Sequence, residues 1–456
     1  MKIINPATNE TIKELEADHG NVVAEKYKRA AAAQKNWART PLDQRLNAMR
    51  AFRRYLENDK EDLARTLTLE VGKPIKQARN EVNGTLGRLD FFLEKTSEIL
   101  KDKMVFKDGE QKLEEAVTLE PLGVIANISA WNYPYFVGSN VFLPALLTGN
   151  AVLYKPSEFA TLTGLAITER LHASGIPKDV FVPVIGDGST GRALLEQPID
   201  GVFFTGSYAT GKKIAEAVAG RMIKVQLELG GKDPTYVCED ADPKTAAESL
   251  ADGAFYNNGQ SCCSVERIYV HKNIYDAFIE HFVKEVNGFV VGDPMDEKTY
   301  IGALTRGVHI AVIESQVKDA VAKGAKLVTG GKKITDRKGH YFQPTVFTDV
   351  NHTMEIMREE SFGPVIGIQR VHDDAEAVQL MNDTAYGLTA GVYTPDKERA
   401  RRILREINSG SVYWNCCDRV SPRLPWSGRG HSGIGSTLGT YGIEAFVQPK
   451  AWHLRG

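Results

Sequence analysis

The chain has 456 residues, 42% of them hydrophobic and 25% charged, and a formal net charge of −2. Such a length is too great for one core and suits two or three domains, with the ordinary composition of a soluble globular protein. The near-balance of charge, with no long basic or acidic run, argues against a nucleic-acid partner, which needs a basic stripe.

The opening residues, MKIINPATNETIKELEADHG, lack the apolar stretch of a signal peptide. Residues 21–100 read as helical, with apolar residues three and four apart through NVVAEKYKRAAAAQKNWA, PLDQRLNAMRAFRRYLENDKEDLARTLTLEVGK and PIKQARNEVNGTLGRLDFFLEKTSEIL. From 112 the texture changes. KLEEAVTLEPLGVIANIS alternates and then turns apolar, as a strand pair does. The longest mainly apolar stretch, VIANISAWNYPYFVGSNVFLPALLTGN, is interrupted by Pro134, Pro144 and polar side chains, and reads as buried core rather than a membrane span. Strand-like runs then alternate with helical ones: NAVLYKP (150–156), FVPVI (181–185), GVFFT (201–205), IKVQLEL (223–229) and PTYVC (234–238). That alternation predicts βαβ units and a parallel sheet. A second α/β series runs from about 265 to 415 through RIYVHK, AKLVTGG, VIGIQRV, LTAGVYT and GSVYWN, with no repeat or low-complexity linker between the halves.

Cys238, Cys262, Cys263, Cys416 and Cys417 are odd in number and include two adjacent pairs. Vicinal cysteines rarely bridge, and no C-x-x-C spacing marks a metal site. Reduced thiols in a cytoplasmic protein are the expectation.

Gly186-x-Gly188-x-x-Gly191 has the spacing of a dinucleotide fingerprint. The acid that should end the next strand is missing, however, since GVFFT ends in Thr205-Gly206-Ser207. A tight strand-to-helix turn explains these glycines better. Thr205-Gly206-Ser207 is itself a rival anion site, because Ser207 precedes a strong helical pattern.

Three further stretches concentrate chemistry. Cys262 and Cys263 follow a Gly259-Gln260-Ser261 turn, and a thiolate there is a candidate nucleophile, with buried structural cysteine as the plainer reading. In IKVQLELGGKDP, alternation puts Ile223, Val225, Leu227 and Leu229 on one face, and Lys224, Gln226 and Glu228 on the other. Glu228 then stands at the strand's end as a candidate general base, or as a simple exposed acid. Asn132, before Pro134, offers an amide to a developing oxyanion, or merely a turn.

Six motifs occur in order: Trp131-Asn132-Tyr133-Pro134, Lys155-Pro156-Ser157-Glu158, Phe204-Thr205-Gly206-Ser207, Glu228-Leu229-Gly230-Gly231-Lys232, Gly259-Gln260-Ser261-Cys262 and Glu360-Ser361-Phe362-Gly363-Pro364. Together with NDTAYGLTAGVYT (382–394) and PWSGRGHSGIGSTLGTYGIEAF (425–446), they make the chain resemble the NAD(P)-dependent aldehyde dehydrogenase superfamily from end to end, in its hydrolytic, non-CoA-acylating branch. The resemblance implies an α/β fold: a variant Rossmann NAD-binding domain (1–105 and 124–229), an α/β catalytic domain (230–439) and a small β oligomerisation arm and tail (106–123 and 440–456). It implies oxidation of an aldehyde, such as a small metabolite semialdehyde, by a homodimer or homotetramer.

The family's G-Q-x-C pattern makes Cys262 the nucleophile rather than Cys263. Asn132 and the Cys262 backbone N–H become the oxyanion donors, and Glu228 the base that hydrolyses the thioester. The cofactor contacts carried over are Trp131, Lys155, Glu158, Gly206, Ser207, Leu229, Glu360 and Phe362, with no metal. NAD is favoured and NADP admitted less readily, since Glu158 would face the adenosine 2′-oxygen. Two departures touch the pocket wall: Ala130 stands where many relatives have Pro, and Pro425-Trp426-Ser427-Gly428 where they have P-F-G-G. The pocket is expected from Tyr133, Phe136, Asn140, Ser261, Cys263 and residues 415–426, made polar by Asn140 and Cys417. Arg419 or Arg423 either meets a substrate carboxylate or forms a salt bridge that fixes the loop. The rival readings are a CoA-acylating member, which would lack a residue like Glu228, and a cysteine hydrolase or acyltransferase, for which only His271 offers a base.

Overall fold

The structure, a computed structural model, describes all 456 residues. Four helices open the chain after a short hairpin: Gly20–Arg39, Leu42–Asn58, Lys60–Val71 and Ile75–Ile99. Their apolar stripes face inward, as with Leu46, Met49, Phe52 and Leu56 of the second helix. They share a core with the helix Pro134–Leu147, which is buried almost throughout. No helix is long and apolar enough to cross a membrane.

The expected strands form two parallel sheets. The first runs, in spatial order, Phe181–Pro183, Ala151–Lys155, Val124–Ile128, Gly201–Thr205 and Lys224–Glu228, with Gly433–Ile434 added antiparallel at the edge. The chain enters at Val124–Ile128, moves outward to one side, then returns to the other through Gly201–Thr205. The order therefore reverses between those two strands, and ligands of such sheets bind beyond the carboxyl ends at this point. The second sheet runs Lys326–Thr329, Thr345–Thr348, Val365–Val371, Arg267–His271, Pro234–Val237, Thr389–Tyr393 and Ser411–Trp414, all parallel except the first.

One expectation needs correction. Leu113–Pro121 and Val124–Ile128 are successive strands but not a pair. Gly123, at φ +135°, redirects the chain, and a Cβ there would lie 2.1 Å from Asp200 Oδ2. Val124–Ile128 enters the first sheet, whereas Leu113–Pro121 lies between Lys103–Asp108 and Val447–Arg455 in a separate three-stranded sheet. The tail strand is exposed beyond Val447, but Leu438, Ile443 and Phe446 before it pack into the core shared with the opening helices, Phe446 stacking on Phe203 at 4.3 Å.

Candidate active site

Neighbouring strands of the first sheet deliver most of the predicted residues to one edge. Ile128 is in register with Lys155 and with Phe204, and Thr205 with Glu228. Trp131, Asn132, Lys155, Gly206, Ser207 and Glu228 thus gather at the carboxyl ends. Ser207 caps the helix Tyr208–Val218 by accepting from Thr210 N, leaving the first amides of that helix for an anion. Gly206 N donates to Glu228 O at 3.0 Å. Lys155 is buried, which lowers its pKa, and its nearest carboxylate is Glu158 at 3.9 Å. A buried ammonium paired only with half-buried Glu158, a capped helix start and the switch point of the sheet fit a dinucleotide. The glycines at 186–191 form the tight turn instead: Gly186 lies against Thr190, and Asp187 caps the helix Gly188–Leu195.

The cysteine turn is built from unusual backbone. Asn257, Asn258 and Gly259 all have positive φ, a run that few residues other than Asn and Gly tolerate. Asn257 N donates to Gln77 Oε1, and Asn258 Oδ1 accepts from Gly302 N, so the turn is held from outside. Asn132 Nδ2 donates to Gln260 O at 3.1 Å, which binds the amide to the cysteine turn and leaves its second N–H free. Lys73 Nζ and Asn257 Nδ2 donate to Asn132 O, fixing its backbone.

Cys262 is part-exposed, whereas Cys263 is buried and donates its S–H to Asp418 Oδ1 at 2.9 Å. The adjoining Cys262 side chain, burial and the Asp418 carboxylate hold the Cys263 thiol well above the usual cysteine range. All five cysteines are free.

Two glycines let the Glu228 segment approach its neighbours. A Cβ on Gly231 would lie 2.7 Å from Cys262 O, and one on Gly230 would lie 2.3 Å from Glu360 Oε1. Glu360 Oε1 accepts from Gly231 N at 3.0 Å, and burial raises its pKa to about 8. The following backbone is latched by a buried pair: Lys232 Nζ donates to Glu266 Oε2 at 2.6 Å, and Glu266 accepts from Ser361 N and Phe362 N. Phe362 meets Trp131 edge-on at 5.5 Å. Leu229 packs against Gly211.

Glu228 is buried, not a solvated strand end, and burial raises its pKa to about 7. Thr437 Oγ1 donates to its Oε1, and Thr205 Oγ1 lies 3.4 Å from its Oε2. Thr437, the Lys232–Glu266 latch and Asn257–Asn258 were not anticipated. Only the Asn-Asn-Gly run carried a local signal, as a left-handed turn.

The pocket expectations fare unevenly. Tyr133 and Phe136 stack at 5.7 Å and are half-buried, beside buried Asn140. Cys417 instead packs into the second sheet's core, its sulfur against Gly253, in a cluster with Val265. Arg419 and Arg423 are exposed, and no salt bridge to either fixes the loop. His271 ends the strand Arg267–His271, 3.9 Å from Glu239, while Cys262 precedes the start of that strand.

Comparison with known proteins bears on this geometry. The sequence profile described as "Aldehyde dehydrogenase family" matches residues 1–452. The chain is 35% identical to a 3,6-anhydro-alpha-L-galactose dehydrogenase of Streptomyces coelicolor, covering 100% of this chain and 93% of the relative. It is 36% identical to a betaine aldehyde dehydrogenase of Sinorhizobium fredii, over 99% of this chain and 93% of that one. Among solved structures, an NAD-dependent aldehyde dehydrogenase from Sinorhizobium meliloti superposes with a TM-score of 0.96 at 34% identity, over 100% of this chain and 91% of the other.

Proposed function

The chain belongs to the aldehyde dehydrogenase family, and on that premise we propose how its residues divide the oxidation of an aldehyde to the carboxylic acid with NAD(P). Cys262 is the nucleophile. Its sulfur bonds to the aldehyde carbon, and the free Asn132 N–H with the Cys262 backbone N–H stabilises the oxyanion. Cys263 is excluded from that role by its burial and its bond to Asp418. Bound nicotinamide supplies the hydride acceptor. Glu228 then takes a proton from the water that attacks the thioester, releasing the acid and restoring the Cys262 thiol. A buried carboxylate with a pKa of about 7 suits that task near neutrality.

Lys155, Glu158, Gly206 and Ser207 would hold the adenosine and pyrophosphate side. Trp131, Leu229, Glu360 and Phe362 would hold the nicotinamide side. NAD is the preferred cofactor, because Glu158 repels a 2′-phosphate. We read residues 1–105 and 124–229 as the cofactor domain, 230–439 as the catalytic domain, and 106–123 with 440–456 as the arm and tail of a homo-oligomer. Five free thiols suit the cytoplasm.

The single observation carrying this reading is the close approach of Gly231 to Cys262 O, which brings the Glu228 strand end onto the cysteine turn tied to Asn132. The test is NADH absorbance over a panel of aldehydes, with acid measured as the product. Acid or ester turnover that persists without nicotinamide would support a hydrolase instead.

A further inference from the structure

Arg88 lies on the helix Ile75–Ile99 and is 5% exposed. Its Nε donates to Asn140 Oδ1 at 3.0 Å, its Nη1 donates to Gly84 O at 3.4 Å, and its guanidinium carbon lies over Phe136, 3.7 Å from the ring centroid. Nη2 makes no hydrogen bond within the chain, yet is not sealed as Arg45 Nε and Nη1 are. No carboxylate pairs with this guanidinium. Burial lowers its pKa to about 10, which still leaves it charged at neutral pH.

A buried charge is costly unless it is paired. Other buried cations meet this cost in different ways: Lys73 pairs with Glu81, Lys232 with Glu266, and Arg267 donates to the carbonyls of Lys232, Leu380 and Met381. Arg45 also lacks a carboxylate, but its Nε and Nη1 are sealed from solvent and Nη1 lies against Gly149. Arg88 sits by the reaction centre. Asn140 and Phe136 belong to the helix that begins two residues after Asn132. Phe136 stacks on Tyr133, beyond which lies the Lys73 ammonium, 3.6 Å from the Tyr133 ring. The carboxylates whose charge reaches Arg88 are first Glu81, which is already paired with Lys73, and then Glu228. A further carboxylate of this region, Asp418, accepts the Cys263 S–H.

We propose that Arg88 is the recognition residue for an aldehyde bearing a carboxylate at its far end, which is received by the unpartnered Nη2 and the Nη1 N–H not directed at Gly84 O. Asn140 and Phe136 hold the fork in one plane, and a planar fork matches a carboxylate bidentately. The substrate itself brings the missing counter-charge. An aldehyde with a terminal ammonium is repelled. The inference rests on the pocket assigned under the proposed function, and it moves carboxylate recognition from the exposed Arg419 and Arg423 to a buried residue.

The test compares kcat/KM for ω-carboxy aldehydes, their methyl esters and ω-amino aldehydes of matched length, over a series of lengths. The expected result is a preference of about 100-fold for the carboxylate over its ester at one length. Arg88→Met should bring the carboxylate-to-ester ratio down to about one, and Arg88→Lys should retain part of it. If Arg88→Met does not fold, the wild-type panel and Arg88→Lys decide. Esters as good as carboxylates, a preference for the ammonium series, or equal losses on every substrate in a folded variant would overturn the role of Arg88 alone. Failure of the wild-type protein to oxidise any of these aldehydes would overturn the pocket reading and Arg88 with it.

Discussion

Cys263 is buried with its S–H committed to Asp418, while its neighbour stays part-exposed on the turn. Cys262→Ala should therefore lower kcat by at least about 1,000-fold, with Cys263→Ala within about tenfold of wild type. The reverse order would move the nucleophile by one residue. In the proposed mechanism Glu228 acts later, on water. Glu228→Gln should keep a rapid burst of NADH and slow the steady state by roughly 100-fold to 1,000-fold. The base works only when deprotonated. With its pKa raised to about 7, steady-state kcat should fall as pH drops below that value, approaching tenfold per unit, and level off above it. Loss of that limb in Glu228→Gln checks the assignment by a pH profile. At the adenosine end, Glu158 stands 3.9 Å from Lys155. Like charges about 4 Å apart in a partly buried site cost about 4 kcal/mol at an effective dielectric near 20. Rotation of Glu158 and attraction by Lys155 reduce this, so NAD should be preferred over NADP by about tenfold to 100-fold in kcat/KM. Equal values, or a Glu158→Ala variant with unchanged selectivity, would remove Glu158 from cofactor choice.

Between elements, contact depends on glycines that side chains would push apart. Gly230 faces Glu360, and Glu360 reaches back to Gly231 N. An alanine at 230 would put Cβ 2.3 Å from the carboxylate, displacing a group we assign to the nicotinamide ribose. Gly230→Ala should raise the KM for NAD by roughly tenfold to 100-fold, more than it raises the KM for the aldehyde, as steady-state titration of each would read. Equal effects would show that the whole cysteine turn has moved. The Lys232–Glu266 pair explains why this loop holds its place: both charges are buried, and Glu266 occupies the amides of Ser361 and Phe362.

At the scale of the whole molecule, the three-stranded sheet is the part least able to stand alone. Met104, Val105, Phe106, Trp452 and Leu454 are exposed on it, and both its outer strands present open edges. Open apolar edges invite a partner. Light scattering at micromolar concentration should find a dimer or tetramer, and deletion of residues 447–456 should dissociate it. A monomeric full-length chain would refute the arm's role. Much of this architecture is legible in the sequence, because helices and strands announce themselves by local apolar period, and GVFFT or VIGIQRV needs no distant partner to read as a strand. The six motifs are equally local, so the sequence by itself determined the order of the residues we assign to the site: Asn132, Lys155, Ser207, Glu228, Cys262 and Glu360. Pairing is another matter. Leu113–Pro121 finds its partner at Val447–Arg455, Asn132 meets Gln260 across 128 residues, and Thr437 meets Glu228 across 209. No local pattern encodes which of many threonines will bond a buried acid, or that Cys417 turns inward and Arg88 is left without a counter-charge. The tertiary structure alone decided those points, because burial and the partner of a polar group are properties of the packed chain and not of its neighbours in sequence.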